Sequence, residues 1–279
     1  MAKRLLITGA TGFIGSQVAA LAAEGGWELQ TEKFDILSPG ETERAIARLR
    51  PTHLIHLAWY VEPTHYWTSP ANARWADASI HLFRCFARHG GERLVGVGTS
   101  AEYDWSGNDP LSESKTALAP ATAYGESKKR VGEEAAAICR DQQISGSWAR
   151  LFLVYGPGEP ASRFVPTAIR AFLENRPVQC ADPVARDFLH VRDAARALLT
   201  LAATNVKGAV NIGSGTAATL RAVAERIGAS VDAYATTSDA PFVVADTTRL
   251  REEAGFAPEI PLERGLRETV AWWRERYRR

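Results

Sequence analysis

Along this chain, short unbroken apolar runs alternate with longer stretches in which apolar residues recur at helical spacing. Leu5-Leu6-Ile7, Trp27-Glu28-Leu29-Gln30, His53-Leu54-Ile55-His56-Leu57-Ala58 and Leu94-Val95-Gly96-Val97-Gly98 read as strands. Helices are predicted between them. One runs from the glycine-rich turn after Ile7 to Gly25. A second carries Ala45, Ile46 and Leu49 and ends near Arg50, ahead of Pro51, and a third spans about Asn72 to Arg88 before Gly90-Gly91. Ser38-Pro39-Gly40-Glu41 reads as a capping box with proline at the first helical position, and Thr122 as the N-cap of a helix reaching about Arg140. Regular strand–helix alternation predicts a parallel sheet covered on both faces. Beyond Gly156 the units shorten, which marks a smaller C-terminal lobe. Phe164-Val165-Pro166 would open a helix there, and Leu262, Leu266, Val270 and Trp273 share one face of a closing helix.

The first turn carries the first chemistry. Thr8-Gly9-Ala10-Thr11-Gly12-Phe13-Ile14-Gly15 sits between a strand and a helix, the context that a dinucleotide-binding fingerprint requires. Gly9 would allow the tight turn, Gly12 would let backbone N–H groups approach a pyrophosphate, and Gly15 would let helix and strand pack closely. The phosphates would meet the positive N-terminus of the helix. Three glycines alone make only a turn; the placement is what selects cofactor binding. In a doubly wound sheet ligands lie beyond the carboxyl ends of the strands, so Asp35, Leu57 and Ala58 are placed to line the same cleft. Leu57 and Ala58 read equally well as the last core residues of a strand. The fold class expected is α/β, a Rossmann-type doubly wound parallel sheet with a smaller C-terminal lobe. The dinucleotide-binding domain is expected over 1–155. Residues 156–279 are expected to form mainly the substrate-binding lobe, with segments returning to the first domain.

Composition narrows the partner. At 279 residues, 46% hydrophobic, 23% charged and with a net charge of +1, the chain is an ordinary globular one, without the basic or acidic blocks that mark nucleic-acid or membrane surfaces. A small-molecule partner is expected, with neither nucleic acid nor membrane, and a homodimer is left open. The one early apolar run, Leu5 to Gly9, flows into the glycine turn and is neither a signal peptide nor a membrane span, so a cytoplasmic location is expected. Cys85, Cys139 and Cys180 are scattered without C-x-x-C spacing, which argues against disulfides and zinc and leaves them as idle thiols.

Two further clusters stand out. Residues 59–75 gather Trp59, Tyr60, Tyr66, Trp67 and Trp75 around Pro63 and Pro70, either as a packed loop with His65 at the surface, the preferred reading, or as a stacking wall over a cleft. Tyr124 and Lys128, four residues apart, share one helix face. Together with the glycine turn and a strand ending at Thr99, this Tyr-x-x-x-Lys resembles the extended short-chain dehydrogenase/reductases, specifically their NAD(P)-dependent nucleotide-sugar epimerase, dehydratase and ketoreductase group. The separation of Thr99 from Tyr124 also fits that family. Arg150-Leu-Phe-Leu-Val-Tyr155-Gly156-Pro157, Arg186-Asp187-Phe188-Leu-His-Val191-Arg-Asp193 and Asn211-Ile212-Gly213-Ser214-Gly215 extend the resemblance over nearly the whole chain.

The resemblance implies roles. Thr99, Tyr124 and Lys128 would be catalytic. Gly9, Thr11, Gly12, Phe13, Ile14, Gly15, Asp35, Ile36, Leu57, Ala58, Tyr124 and Lys128 would hold the cofactor, and Thr99, Ser100 and Arg186 the substrate. Tyr124 would give a proton to the developing alkoxide, Lys128 would lower the phenol's pKa and hold the nicotinamide ribose, and Arg186 would contact the diphosphate. A salt bridge to Asp187 or Asp193 is the structural alternative for Arg186. Thr99 is selected over Ser100 because consecutive strand residues face opposite ways. Ser100-Ala101 stands where the family's 4,6-dehydratases carry Asp-Glu, no cysteine occupies the acid/base position of its 3,5-epimerase/reductases, and Leu153 replaces a phosphate-contacting Asn of sugar epimerases. The function expected is therefore NAD(P)H-dependent reduction of a nucleotide-activated 4-keto-6-deoxysugar, with a nucleotide-sugar 4-epimerase as alternative. A catalytically silent NADP-sensing or scaffold protein is the alternative of another class, although such relatives typically lose the Tyr or the Lys. In Gln30-Thr31-Glu32-Lys33, Glu32 suits a ribose 2′-hydroxyl and Lys33 a 2′-phosphate. NADP is favoured slightly over NAD, as biosynthetic reductions commonly use it.

Overall fold

The computed structural model describes residues 3–30, 32–63, 65–235 and 240–277, so Thr31 of the cofactor-discriminating segment lies outside the described residues. The first half alternates as its pattern predicts: β1 (Arg4–Thr8), α1 (Phe13–Glu24), β2 (Glu28–Gln30), α2 (Pro39–Leu49), β3 (His53–His56), α3 (Ala71–Arg88), β4 (Arg93–Thr99), α4 (Ala123–Asp141) and β5 (Ser145–Leu151). There follow β6 (Leu153–Tyr155), α5 (Phe164–Leu173), β7 (Val178–Ala181), β8 (Ala185–His190), α6 (Val191–Ala203), β9 (Gly208–Ile212), β10 (Ala217–Thr219), α7 (Leu220–Ile227), β11 (Val231–Tyr234), β12 (Phe242–Val243), α8 (Thr248–Glu252) and α9 (Leu262–Tyr277).

Six strands form one wholly parallel sheet in the order β2-β1-β3-β4-β5-β9. Leu5, Leu6, Leu54, Ile55, Leu94 and Val95 are all buried because both faces are covered, which is why these strands read as continuous apolar runs. On one face Leu5, Val95 and Ala149 pack with Val18 of α1 and Leu198 of α6; on the other Leu6, Leu54 and Leu94 pack with Phe83 of α3 and Val131 of α4. The sheet grows in opposite directions from β1 and β3, so their carboxyl ends border the crevice in which ligands of such sheets bind. No helix among the described residues is long and apolar enough to cross a membrane.

After β5 the chain builds a second packing centre. Tyr155, Phe188, Val165 and Ile169 of α5, Val223 of α7 and Leu266 of α9 form one cluster, with Val270 and Trp273 of α9 against it. β8 is the hub there, paired with β6 and β12 in parallel and with β10 antiparallel. β9 pairs with β5, and α6 packs on α1, within the large sheet and its cover.

The capping box expected at Ser38 does not form. Proline does occupy the first turn of α2, but the Ser38 side chain makes no cap bond. Glu41 Oε2 instead accepts from Asp35 N at 3.1 Å, and Ser38 N donates to Asp35 O at 3.0 Å. A turn at Asp35–Ser38 already satisfies the amide that Glu41 would have served.

Candidate active site

The glycine turn is shaped for a close neighbour. Gly9 adopts φ +74°, and a Cβ there would stand 2.9 Å from Ala58 N; a Cβ on Gly15 would run into the Gly9 carbonyl oxygen. Both are thus fixed by contact between β1, β3 and α1. Gly9, Thr11 and Gly12 remain exposed at the mouth. Gly12 is the N-cap of α1, whose first turn holds no acidic side chain, so its first N–H groups and the helix dipole face the crevice uncompensated. This cradle fits a dinucleotide pyrophosphate. Leu57 and Ala58 lie immediately beyond β3 at the same edge, while Asp35 is exposed and Ile36 buried in the loop after β2. Glu32 is paired with Arg48.

The buried His56 ties the rim together, its ring nitrogens 2.7 Å from Thr8 Oγ1 and 2.8 Å from Ser79 Oγ. Burial, reinforced by the nearby Lys128 charge, holds it down at about 3, so it is a neutral strut.

Thr99, Tyr124 and Lys128 come together where β4 ends against the start of α4. Thr122 caps that helix, accepting from Gly125 N at 3.1 Å, which sets Tyr124 in its first turn. The Thr99 hydroxyl interacts with the Tyr124 phenol. Lys128 Nζ donates to Val97 O at 2.9 Å and lies 6.0 Å from the Tyr124 ring centroid. One expectation is corrected: the phenol's pKa is raised above its ordinary value, foremost by burial, and not lowered by Lys128. Burial also presses Lys128 itself down to about 7, against the pull of Glu102, so at neutral pH it is not a full positive charge. Ser100 is buried in the 3₁₀ turn that follows Thr99.

The rings of the aromatic loop, read from the sequence as a packed loop or a stacking wall, lie against the site, and Glu102, which the sequence reading did not single out, lies beneath it. Trp59 places its ring 3.8 Å below Lys128 Nζ and is fixed by Asn72 Oδ1, 2.9 Å from its Nε1. Tyr66 and Trp67 stack on one another and meet the Tyr124 ring edge to face at 5.1 and 5.6 Å, and Tyr124 N donates to Trp67 O. The aromatic loop is therefore a wall around the proposed proton donor, whereas His65 is exposed as expected. Glu102 is completely buried under the same turn. Its Oε1 accepts from Thr99 N at 2.8 Å, its Oε2 from Arg150 Nε at 2.8 Å, and Trp148 Nε1 lies 3.0 Å from both. Thr99-Ser-Ala-Glu102 is itself a capping box, the local signal that could have found Glu102.

Arg186 lies on β8, half-buried, and donates to the carbonyls of Ala185 and Ala240. Asp187 accepts from Ser214 N and Oγ, Gly215 N and Ala245 N, and Asp193 from Arg196 and the amides of Glu259 and Ile260. Leu153 packs against the second centre, in register with Phe188.

A model of the NAD dependent epimerase/dehydratase family matches residues 5–213. The dTDP-glucose 4,6-dehydratase of Neisseria gonorrhoeae is 26% identical over 97% of this chain and 95% of its own length. The GDP-6-deoxy-D-mannose reductase of Pseudomonas aeruginosa is 26% identical over 100% of this chain and 99% of its own. Among solved structures, MoeE5 in complex with UDP-glucose and NAD aligns with a TM-score of 0.84 at 25% identity, covering 98% of this chain and 99% of that one.

Proposed function

Because this chain belongs to the NAD-dependent epimerase/dehydratase family, we propose that it is an NAD(P)H-dependent ketoreductase of a nucleotide-activated 4-keto-6-deoxysugar. The observation that carries this reading is the meeting of Thr99, Tyr124 and Lys128 at a turn whose only carboxylate, Glu102, is committed to Arg150 and Trp148. Dehydration needs a carboxyl free to move a proton beside the threonine, and Ser100 and Ala101 stand where the family's acid pair would be. The full-length similarity to a GDP-6-deoxy-D-mannose reductase supports the same choice.

In this reading residues 1–155 hold the cofactor and 156–279 mainly the substrate. The N–H groups of Phe13 and Ile14 hold the pyrophosphate, Asp35 and Ile36 border the adenine, Leu57 and Ala58 the crevice floor, and Tyr124 and Lys128 the nicotinamide end. Bound nicotinamide supplies the hydride. Thr99 orients the ketone oxygen, and Tyr124, which burial keeps protonated at neutral pH, donates its proton as negative charge grows there. The phenolate then recovers a proton from solvent with Lys128 beside it. Arg186 has the charge and planarity to grip a diphosphate. Engagement of Glu32 by Arg48 leaves it less able to serve a ribose 2′-hydroxyl, which favours NADPH.

The test is to mix the protein with NADPH and a dTDP- or GDP-4-keto-6-deoxyhexose and follow absorbance. Equimolar NADPH oxidation and product alcohol are expected. Inversion at C4 of a nucleotide hexose with no net NADPH loss would establish the epimerase alternative instead, and binding of NADPH without turnover of either substrate the sensing one.

A further inference from the structure

On the face of the sheet opposite α1 and α6, three donor side chains meet that the proposed reaction does not use. His81 and Cys85 lie one turn apart on α3, and Glu43 reaches them from α2. Cys85 Sγ is 2.9 Å from Glu43 Oε2 and 3.3 Å from His81 Nε2, and one ligand atom from each residue lies within 4.8 Å of the others. We propose that Glu43, His81 and Cys85 bind a borderline-soft divalent transition metal such as Zn²⁺, clamping α2 to α3. A thiolate, an imidazole and a carboxylate suit Zn²⁺ or Co²⁺ and not Mg²⁺ or Ca²⁺, and the two anionic ligands neutralise the ion. Water completes the tetrahedron. His89 Nε2, 2.8 Å from Glu43 Oε1, orients the carboxylate from outside.

In the metal-free protein a proton and a guanidinium hold the same atoms. Arg88 Nη2 lies 2.5 Å from Glu43 Oε2 and 3.4 Å from Cys85 Sγ, but its side chain is 53% exposed and can swing into solvent. Binding forms a metal–sulfur bond and releases the thiol proton to solvent, with no change of oxidation state. His81 Nε2, now 3.2 Å from Pro39 O, ligates with its proton carried on Nδ1. Cysteine spacing conceals this site because Glu43 is 42 residues from Cys85 and joins it only through the packing of α2 on α3.

The experiment is titration of the full chain with CoCl₂ while watching the near-ultraviolet thiolate-to-cobalt band. A saturable band at one equivalent, bleached by Zn²⁺, is expected. It should vanish in Cys85→Ser, weaken by at least about tenfold in His81→Ala, and tighten by up to about fivefold in Arg88→Ala, which removes the competing cation. Cys85 is buried, so the half-buried His81 and exposed Arg88 variants give answers that do not depend on core packing. No thiolate band at millimolar CoCl₂, or a band unchanged in both Cys85→Ser and His81→Ala, overturns the proposal.

Discussion

Glu102 at the end of β4 and Glu159 in the loop after β6 are both buried beside an arginine, yet the protein treats them in opposite ways. Glu102 is enclosed by the amide of Thr99, the indole of Trp148 and the guanidinium of Arg150. Arg150 in turn reaches the Tyr103 hydroxyl at 2.9 Å, and Tyr103 donates to Asn211 Oδ1 at 2.8 Å. Burial raises the Glu102 carboxyl, and Arg150 together with these hydrogen bonds opposes the rise. Glu159 is only 3% exposed, its charged neighbour is Arg163, whose Nε lies 3.3 Å from Oε1, and apart from the Gly156 amide neither carboxyl oxygen has a hydrogen-bond partner among the described residues. Burial pushes it up to about 7, with Arg163 opposing. A buried carboxylate with every lone pair used is a rigid floor; one left unmatched is a group whose charge follows the pH.

The largest effect should come from breaking the complete network. Glu102→Ala strands Arg150, 6% exposed, as an uncompensated buried cation and should cost about 3–5 kcal/mol. Urea unfolding of the variant measures this. A loss no larger than that of a typical surface substitution would mean that Arg150 finds another partner or water.

The incomplete pair should show in pH dependence. Glu159 has its folded pKa raised from 4.5 to about 7. Below the unfolded value both states are protonated and the group is neutral in its effect. As pH rises from about 4.5 to about 7 the unfolded chain loses its proton first, so the folded state is progressively destabilised, by about 3 kcal/mol in full above that window. Glu159→Gln should unfold like the parent at about pH 5 and be more stable than it at about pH 8. A variant less stable at both values would show that the carboxylate has a partner that it needs.

The contrast also marks what the sequence could disclose. The glycine turn, the Thr122 cap and the Tyr124–Lys128 pair were legible because each is set by spacing within one turn or one helix. The parallel sheet was legible because its buried strands are continuous apolar runs. Arg150 meets Glu102 across 48 residues, and Trp59 meets Lys128 only because β3 and α4 converge, so no local pattern announces either. The two capping-box signatures show the limit most plainly. Ser38-Pro-Gly-Glu41 fails because an adjacent turn takes its donor, while Thr99-Ser-Ala-Glu102, which precedes no apolar run, forms one.

Chemistry above the rigid floor is the next test. Tyr124→Phe keeps the ring that Trp59, Tyr66 and Trp67 surround and removes only the hydroxyl beside Thr99. It should fold normally and lower kcat by about a hundredfold or more, the contribution of a positioned proton donor. Steady-state rates with NADPH and a nucleotide ketosugar, beside an unchanged melting curve, check this. A near-parental rate would move proton donation elsewhere.

The smallest expected effect separates the two arginines. Arg163 has 42% of its side chain exposed, so its charge is screened by solvent, and Glu159, left alone, can take up a proton near neutral pH. Arg163→Ala should therefore change stability at neutral pH by at most about 1 kcal/mol, against several for Arg150→Ala, which leaves Glu102 buried and unpaired. Its clearer signature is a shift. Because Arg163 favours the charged form of Glu159, its loss should raise that carboxyl further and move the upper end of the pH-dependent loss of stability to higher pH. Unfolding followed across neutral pH in parent and variant measures the displacement. A profile that stays in place would mean that burial and the Gly156 amide alone set where the carboxyl titrates, and that Arg163 serves only as the first residue outside α5.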